Sequence, residues 1–219
     1  MSEENTKVTK KYYDNVSVGN RTRQTAYFVQ QHDKNKMFLE LLKTLTGKQI
    51  LMLVKSKRTA DNLMEFLKEK EIQSCSVHGN HRASQIEEAT LAFNSKKIAI
   101  LITTDRILET LSLSDIQTVI NYDLPLDASD YFKRLILVDE IGESISLVDP
   151  EDEKVLAVIE HMMKCEIAEV EIENFEHTPH IPVPKQDKTK KPRHKKVQRQ
   201  AKRKAEIKSK WIPTGEEVS

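Results

Sequence analysis

The sequence predicts an α/β domain, a mostly parallel sheet with helices on both faces. Short continuous apolar runs, QILMLV (49–54) and IAILI (98–102), read as strands buried on both sides. Between them lie stretches with apolar residues three and four apart, the mark of amphipathic helices. The two patterns alternate along the chain, and repeated β–α–β units require the crossovers of a parallel sheet.

Residues 1–20 lack periodicity and are expected to form a flexible lead-in to a domain spanning 21–170. QTAYFV (24–29) is the first strand. Residues 34–45 form a helix with Met37, Phe38, Leu41, Leu42 and Leu45 on one face, ended by Gly47. Strand 49–54 leads to helix 58–70, with Ala60, Leu63, Met64 and Leu67 aligned. Strand 73–77 leads to helix 82–94, with Ala83, Ile86, Thr90 and Phe93 aligned. Strand 98–102 is followed by a short helix or turn over 107–113, then strand 118–121. Asp127 caps a helix over 128–135. Strand 144–148 and helix 151–163, with Val155, Val158, Ile159 and Met162 aligned, close the domain after the turn at Pro150.

Beyond Ile167 the character changes. Residues 171–193 contain Pro179, Pro182, Pro184 and Pro192, the composition of an extended linker. Residues 194–219 form a basic tail. HKKVQRQAKRKAEIKSKW (194–211) has no proline or glycine and places Val197, Ala201 and Ala205 four apart, so it is expected to be disordered alone and to become helical against a partner.

Charge divides the chain the same way. The 219 residues hold 35 Lys+Arg and 34 Asp+Glu, a net of +1. Residues 185–210 hold 13 Lys/Arg and two acids, Asp187 and Glu206, a local +11, so the rest carries −10. An acidic body with a dense basic arm points to a polyanionic partner, nucleic acid or an acidic surface. Trp211 at the end of the arm is able to stack on a base.

Other classes are excluded. The longest apolar stretches are five or six residues against the ~20 a membrane span needs, and the arm lacks the large apolar residues an interfacial helix inserts. MSEENTKVTKKYYDN has no apolar core and is not a secretion signal. Cys75 and Cys165 read as buried free thiols of a cytoplasmic protein. No ligand set suggests a metal site.

Four ordered strings, SVHGN (76–80), ILITTD (100–105), INYDLP (120–125) and ESISLVDPEDEK (143–154), resemble the second RecA-like domain of the DEAD-box RNA helicases. The resemblance covers roughly residues 20–175. It implies a RecA-like fold that, in a whole helicase, closes on a first domain around ATP and RNA. The first domain's signatures are missing: there is no GxxxxGK[ST] and no DEAD string.

Where the family has an HRIGRTGR-type motif, this chain reads Lys133-Arg134-Leu135-Ile136-Leu137-Val138-Asp139-Glu140. Arg134 is kept, but Leu137 and Glu140 replace the two arginines that face the phosphoryl group, a loss worth ~10³ to 10⁵ in rate. The ARGID-type motif reads Leu108-Glu109-Thr110-Leu111-Ser112, so its Arg, Gly and ribose-facing Asp are gone. No catalytic residue, no cofactor and no ATP binding by this chain alone are expected.

The resemblance also implies an RNA-facing set. Lys55, Ser56 and Lys57 stand in the loop after strand 49–54. His78, Gly79 and Asn80 form the HG turn, and Thr104 lies in the TTD string. The family's QxxR pair is Gln85 and Glu88 here, which opposes a phosphate. In the tail, Lys195, Lys196, Arg199, Lys202, Arg203 and Lys204 are the candidate contacts.

Plainer roles compete. His78 and His81 suit a turn, Asp105 a helix cap, Arg134 a structural ion pair, and the PEDEK acids a helix N-terminus. The expected function is a non-catalytic, cytoplasmic RNA-binding protein whose tail supplies most of the affinity, with ribosomal or ribonucleoprotein association as a natural setting. The alternatives are a helicase half working in trans with a separate ATPase domain, and an adaptor that binds protein through the former interdomain face.

Overall fold

The computed structural model describes residues 14–113, 116–173 and 175–179. The tail candidates Lys195 to Lys204 lie outside them. Seven parallel strands form one sheet in the order β3-β4-β2-β5-β6-β1-β7. They are β1 (Arg23–Phe28), β2 (Ile50–Leu53), β3 (Ser74–Val77), β4 (Ile100–Thr103), β5 (Ile116–Asn121), β6 (Val138–Val148) and β7 (Ala168–Glu169).

The helices are α1 (Asn15–Arg21), α2 (Lys34–Thr44), α3 (Lys57–Glu69), α4 (Ala83–Asn94), α5 (Asp105–Leu108), α6 (Ala128–Ile136) and α7 (Glu153–Met163). A strand's side chains alternate, so β2 sends Ile50 and Met52 to one face and Leu51 and Leu53 to the other. All four are buried. The first face packs on α2 and α3 through Phe38, Leu41, Leu63 and Leu67. The second packs on α4 and α5 through Phe93 and Ile107, and farther along on α1, α6 and α7 through Tyr131, Leu135, Ile159 and Met163. The expected α/β class, with helices on both faces, is what the chain forms.

Local chemistry sets the helix ends. The Ser56 hydroxyl accepts from the Thr59 N–H at 3.1 Å and starts α3. Asp127 accepts from the Ser129 N–H at 2.9 Å and starts α6, as its position in sequence suggested. Gly47, with φ of 80°, turns the chain just past α2.

Several expectations need correction. The lead-in ends before residue 20, because Asn15–Arg21 forms α1 with Val18 buried against α6 and α7. Two turns give too short a pattern to read. The short helix starts at Asp105 rather than 107 and ends at Leu108. β6 starts at Val138, not 144, through an irregular stretch between Val138 and Glu143 where its register against β5 shifts. Gly142 sits there because a Cβ would collide with Val138 and stand 2.8 Å from the Gln117 carbonyl oxygen. On α7 the buried residues are Leu156, Ile159 and Met163, and Val158 is exposed. Cys75 and Cys165 are free but only half-buried.

The stretch expected to open the linker runs back over the body. The Val170 N–H donates to the Ala26 carbonyl at 3.0 Å. Ile172 and Phe175 pack on the α2–α3 core, and Lys36 of α2 donates to the Glu176 carbonyl at 2.8 Å. Thr178 gives both its N–H and its hydroxyl to the Asp33 carboxylate, at 2.7 Å each.

Candidate functional site at the carboxyl edge of the sheet

In an open parallel sheet, ligands meet the loops that follow the strands. Here the loops after β2, β3 and β4 carry every candidate of the body. Lys55, Ser56 and Lys57 follow β2, and His78, Gly79 and Asn80 follow β3. Thr104 follows β4.

The first two loops meet. Lys57 Nζ donates to Asn80 Oδ1 at 3.2 Å, so the N-terminus of α3 and the turn before α4 form one continuous edge. Ser56, Lys57 and Asn80 are exposed there, and Arg58 and Arg82 are exposed beside them. His78 is buried and organises the turn. Its Nδ1 accepts from the Asn80 N–H at 3.4 Å, and with that nitrogen as acceptor Nε2–H donates to Asp61 Oδ1 at 2.8 Å. Its own N–H donates to His81 Nδ1 at 3.1 Å. The turn role weighed for both histidines is the one they fill. A Cβ at Gly79 would meet only Ile107, at 3.9 Å, so the fold itself makes no steric demand for glycine. Thr104 is buried at the N-cap of α5, and its side chain makes no cap hydrogen bond.

Lys55 belongs to a cluster that sequence reasoning missed. Lys34, fully buried at the start of α2, places Nζ 2.9 Å from Asp149, 3.2 Å from Asp123 and 3.5 Å from Asp152. Asp152 also takes the Lys55 ammonium, and Asp123 accepts the Lys55 N–H at 3.0 Å. Burial acts to lower the Lys34 pKa, but the three carboxylates outweigh it and hold the ammonium above its ordinary value. Burial likewise pushes Asp149 up, and Lys34 with the Glu151 N–H pulls it below the ordinary carboxylate value. Asp152, taken from sequence as a dipole-favoured acid, is buried and makes no side-chain cap; it serves the two lysines.

A second buried network is built on Arg134. Its guanidinium is fully buried. Nε and Nη2 grip the two Asp105 oxygens at 2.7 Å each, and Nη1 donates to Asn121 Oδ1 at 2.9 Å and to the Asp123 carbonyl at 2.8 Å. The structural ion pair anticipated for Arg134 is present. Asp105 is not the cap it was expected to be, because Thr104 holds that position and both carboxylate oxygens are taken by the fork.

Above this network opens a cleft of 330 Å³ lined by Asp105, Arg106, Leu108, Glu109, Asp130, Lys133 and Leu137. Lys133 bridges two of its acids, at 2.9 Å to Asp130 and 3.5 Å to Glu109. The hydrogen bond to Asp130 and the field of both carboxylates raise its pKa. Leu137 ends α6, and Val138, Asp139 and Glu140 already belong to β6. Among the described residues no group of His, Cys, Asp and Glu is arranged to hold a metal ion, and no helix is long and apolar enough to cross a membrane.

Residues 33–135 match the model of the helicase conserved C-terminal domain. The body is a DEAD-box helicase C-terminal domain. It is 34% identical over 138 residues to the ATP-dependent RNA helicase vasa of Drosophila melanogaster, 62% of this chain and 21% of that protein. Among solved structures, a DEAD box protein from Methanococcus jannaschii is 28% identical with a TM-score of 0.66, across 70% of this chain and 43% of that one. The E. coli DEAD-box protein SrmB, bound to regulator of ribonuclease activity A, has a TM-score of 0.68 at 21% identity across 74% of this chain and supports the fold alone. The DEAD-box domain here thus spans a fraction of the full length of vasa.

The polar residues at the carboxyl edge fall into two groups. Arg134, Asp105, Lys34 and Asp152 are engaged in buried networks. Ser56, Lys57 and Asn80 are exposed on one edge. Lys34 and its three aspartates are spread from residue 34 to 152, and only the ends of β5 and β6, the DLP and DPED strings, hinted that acids converge there.

Proposed function

We propose that this chain binds RNA without hydrolysing ATP on its own. The observation that carries the reading is the contrast between two parts of one sheet edge. The cleft that resembles the family's nucleotide-facing side holds Glu109 and Asp130 bridged by Lys133, with Leu137 in place of an arginine. A triphosphate meets Asp105, Glu109 and Asp130 there against Arg106 and a Lys133 already bridging two of those acids, without the pair of motif arginines. The edge formed by Ser56, Lys57 and Asn80, with Arg58 and Arg82 beside it, keeps exposed cations and two helix N-termini of the kind that accept phosphate.

Within this reading Lys57, Ser56, Asn80, Gly79 and Thr104 are the body's contacts, and His78 and Lys55 hold the two loops in place. The basic residues Lys195, Lys196, Arg199, Lys202, Arg203 and Lys204 add most of the affinity through counterion release. The site of action is cytoplasmic.

Filter binding of single-stranded RNA to the full chain and to a version ending at Pro184 tests the tail. Lys57→Ala tests the edge, and its salt slope is expected to fall by about 1. Equal affinity of the long and short chains at moderate salt removes the tail from the account, and ATPase activity in the isolated chain overturns the reading. An adaptor role has one observation in its favour: Ile136 and Ile141, at 54% and 87% exposure, flank the segment where the family carries its arginines.

A further inference from the structure

We propose that Thr178 is a phosphorylation site for a proline-directed protein kinase, and that its phosphate releases residues 175–179 from α2. Of the seven prolines in the chain, only Pro179 follows a serine or threonine. Residues 176–179 are exposed and lie outside helix and strand, the form in which a kinase takes its substrate.

The same threonine holds the segment down. Its hydroxyl and N–H are both given to Asp33, a carboxylate only 4% exposed. The other anchors are the Phe175 ring packed on the α2–α3 core, the Lys36 bond to the Glu176 carbonyl and the Lys36 ammonium 5.1 Å from the centre of that ring.

The covalent step balances simply. The γ-phosphoryl group of ATP passes to Thr178 Oγ1, the bond to ADP breaks as the new P–O bond forms, and the hydroxyl proton goes to the kinase's carboxylate base. The product has lost the donor that Asp33 accepted. It has also gained ~1.5 to 2 negative charges beside a buried carboxylate, a like-charge contact that disrupts. Burial acts to raise the Asp33 pKa, but the two Thr178 hydrogen bonds and the nearby cations hold it below its ordinary value, so the anion is in place to repel. The basic side chains in reach are Lys36 and His32, the latter 3.7 Å from Asp33 and half-exposed. If they captured the phosphate, the segment would tighten instead, so the direction of the change is a real test.

The experiment treats the full chain with a proline-directed kinase and ATP, maps phosphate by mass spectrometry, and follows amide hydrogen exchange over residues 172–179. Phosphate on Thr178 is expected, and its loss in Pro179→Ala and Thr178→Val. The amides of 175–178 are expected to exchange at least about tenfold faster after phosphorylation, the factor one hydrogen bond to a charged group is worth. Thr178→Val, which loses the donor without adding charge, is expected to fall between the two states. An unlabelled Thr178 overturns the site. A labelled Thr178 with unchanged or slower exchange overturns the release.

Discussion

Replacing Lys34 with methionine tests how far the body depends on its buried ion cluster. Methionine keeps most of the aliphatic stem, so packing changes little and the loss is electrostatic. In the native cluster the Lys34 ammonium lies within 3.5 Å of three carboxylates and is shut off from solvent. Without it, Asp123, Asp149 and Asp152 share the single ammonium of Lys55. Breaking a buried pair in this way costs ~3 to 5 kcal/mol. With a urea slope of ~2 kcal/mol per molar, the unfolding midpoint should drop by ~2 M.

The pH dependence gives a second signature. Asp149 has a folded pKa below its ordinary 3.8, so its contribution is present above that value and is lost as pH falls through the folded value. Lys34 has a folded pKa above its ordinary 10.5, so its contribution is complete below 10.5 and is lost as pH rises through the folded value. In Lys34→Met the crowded carboxylates take up protons more readily, so the gap to the wild type should narrow between pH 7 and about 5. Urea titrations at both pH values measure this. A loss below about 1 kcal/mol at pH 7, or a gap that does not change with pH, would refute the reasoning, since an exposed pair gives no more than that.

Three further outcomes are expected. Arg134→Lys keeps the charge but not the fork, leaving Asn121 Oδ1 and the Asp123 carbonyl unpaired in the interior. It should lose at least about 2 kcal/mol in denaturant titration. Gly142→Ala drives a methyl against Val138 and the Gln117 carbonyl at the β6 irregularity and should cost about 1 to 3 kcal/mol by the same measurement. Ser56→Ala removes the bond to the Thr59 N–H and should cost about 1 kcal/mol, read as a lower melting temperature with α3 otherwise intact.

The elements that sequence made legible are those with one repeated physical demand. β2 and β4 are covered on both faces, so ILML and the ILI of β4 read as continuous apolar runs. α3 buries Ala60, Leu63 and Leu67 at helical spacing. α1 and the start of β6 carry no such demand. One is two turns long, and the other breaks its register around Gly142. The site was legible in its loops but not in its wiring. Lys55 and Lys57 sit two residues apart and read alike. Both are exposed, but Asp152, 97 residues on from Lys55, ties down the first ammonium, while the second reaches across to Asn80. Asp105 read as a cap because a strand ends beside it. The buried guanidinium that claims it lies 29 residues away.

The ties on Lys55 have a consequence for the thermodynamics of association. A flexible loop that orders on a ligand gives up ~1 to 2 kcal/mol of backbone freedom per residue. Here the Lys55 main chain is fixed by Asp123, its side chain by Asp152, and the Ser56 hydroxyl is committed to the first turn of α3. A polyanion arriving at this edge meets a surface that has already lost that freedom in folding, so docking there orders little and owes its strength to charge. The heat of such an association should change little with temperature, while its constant falls steeply with salt.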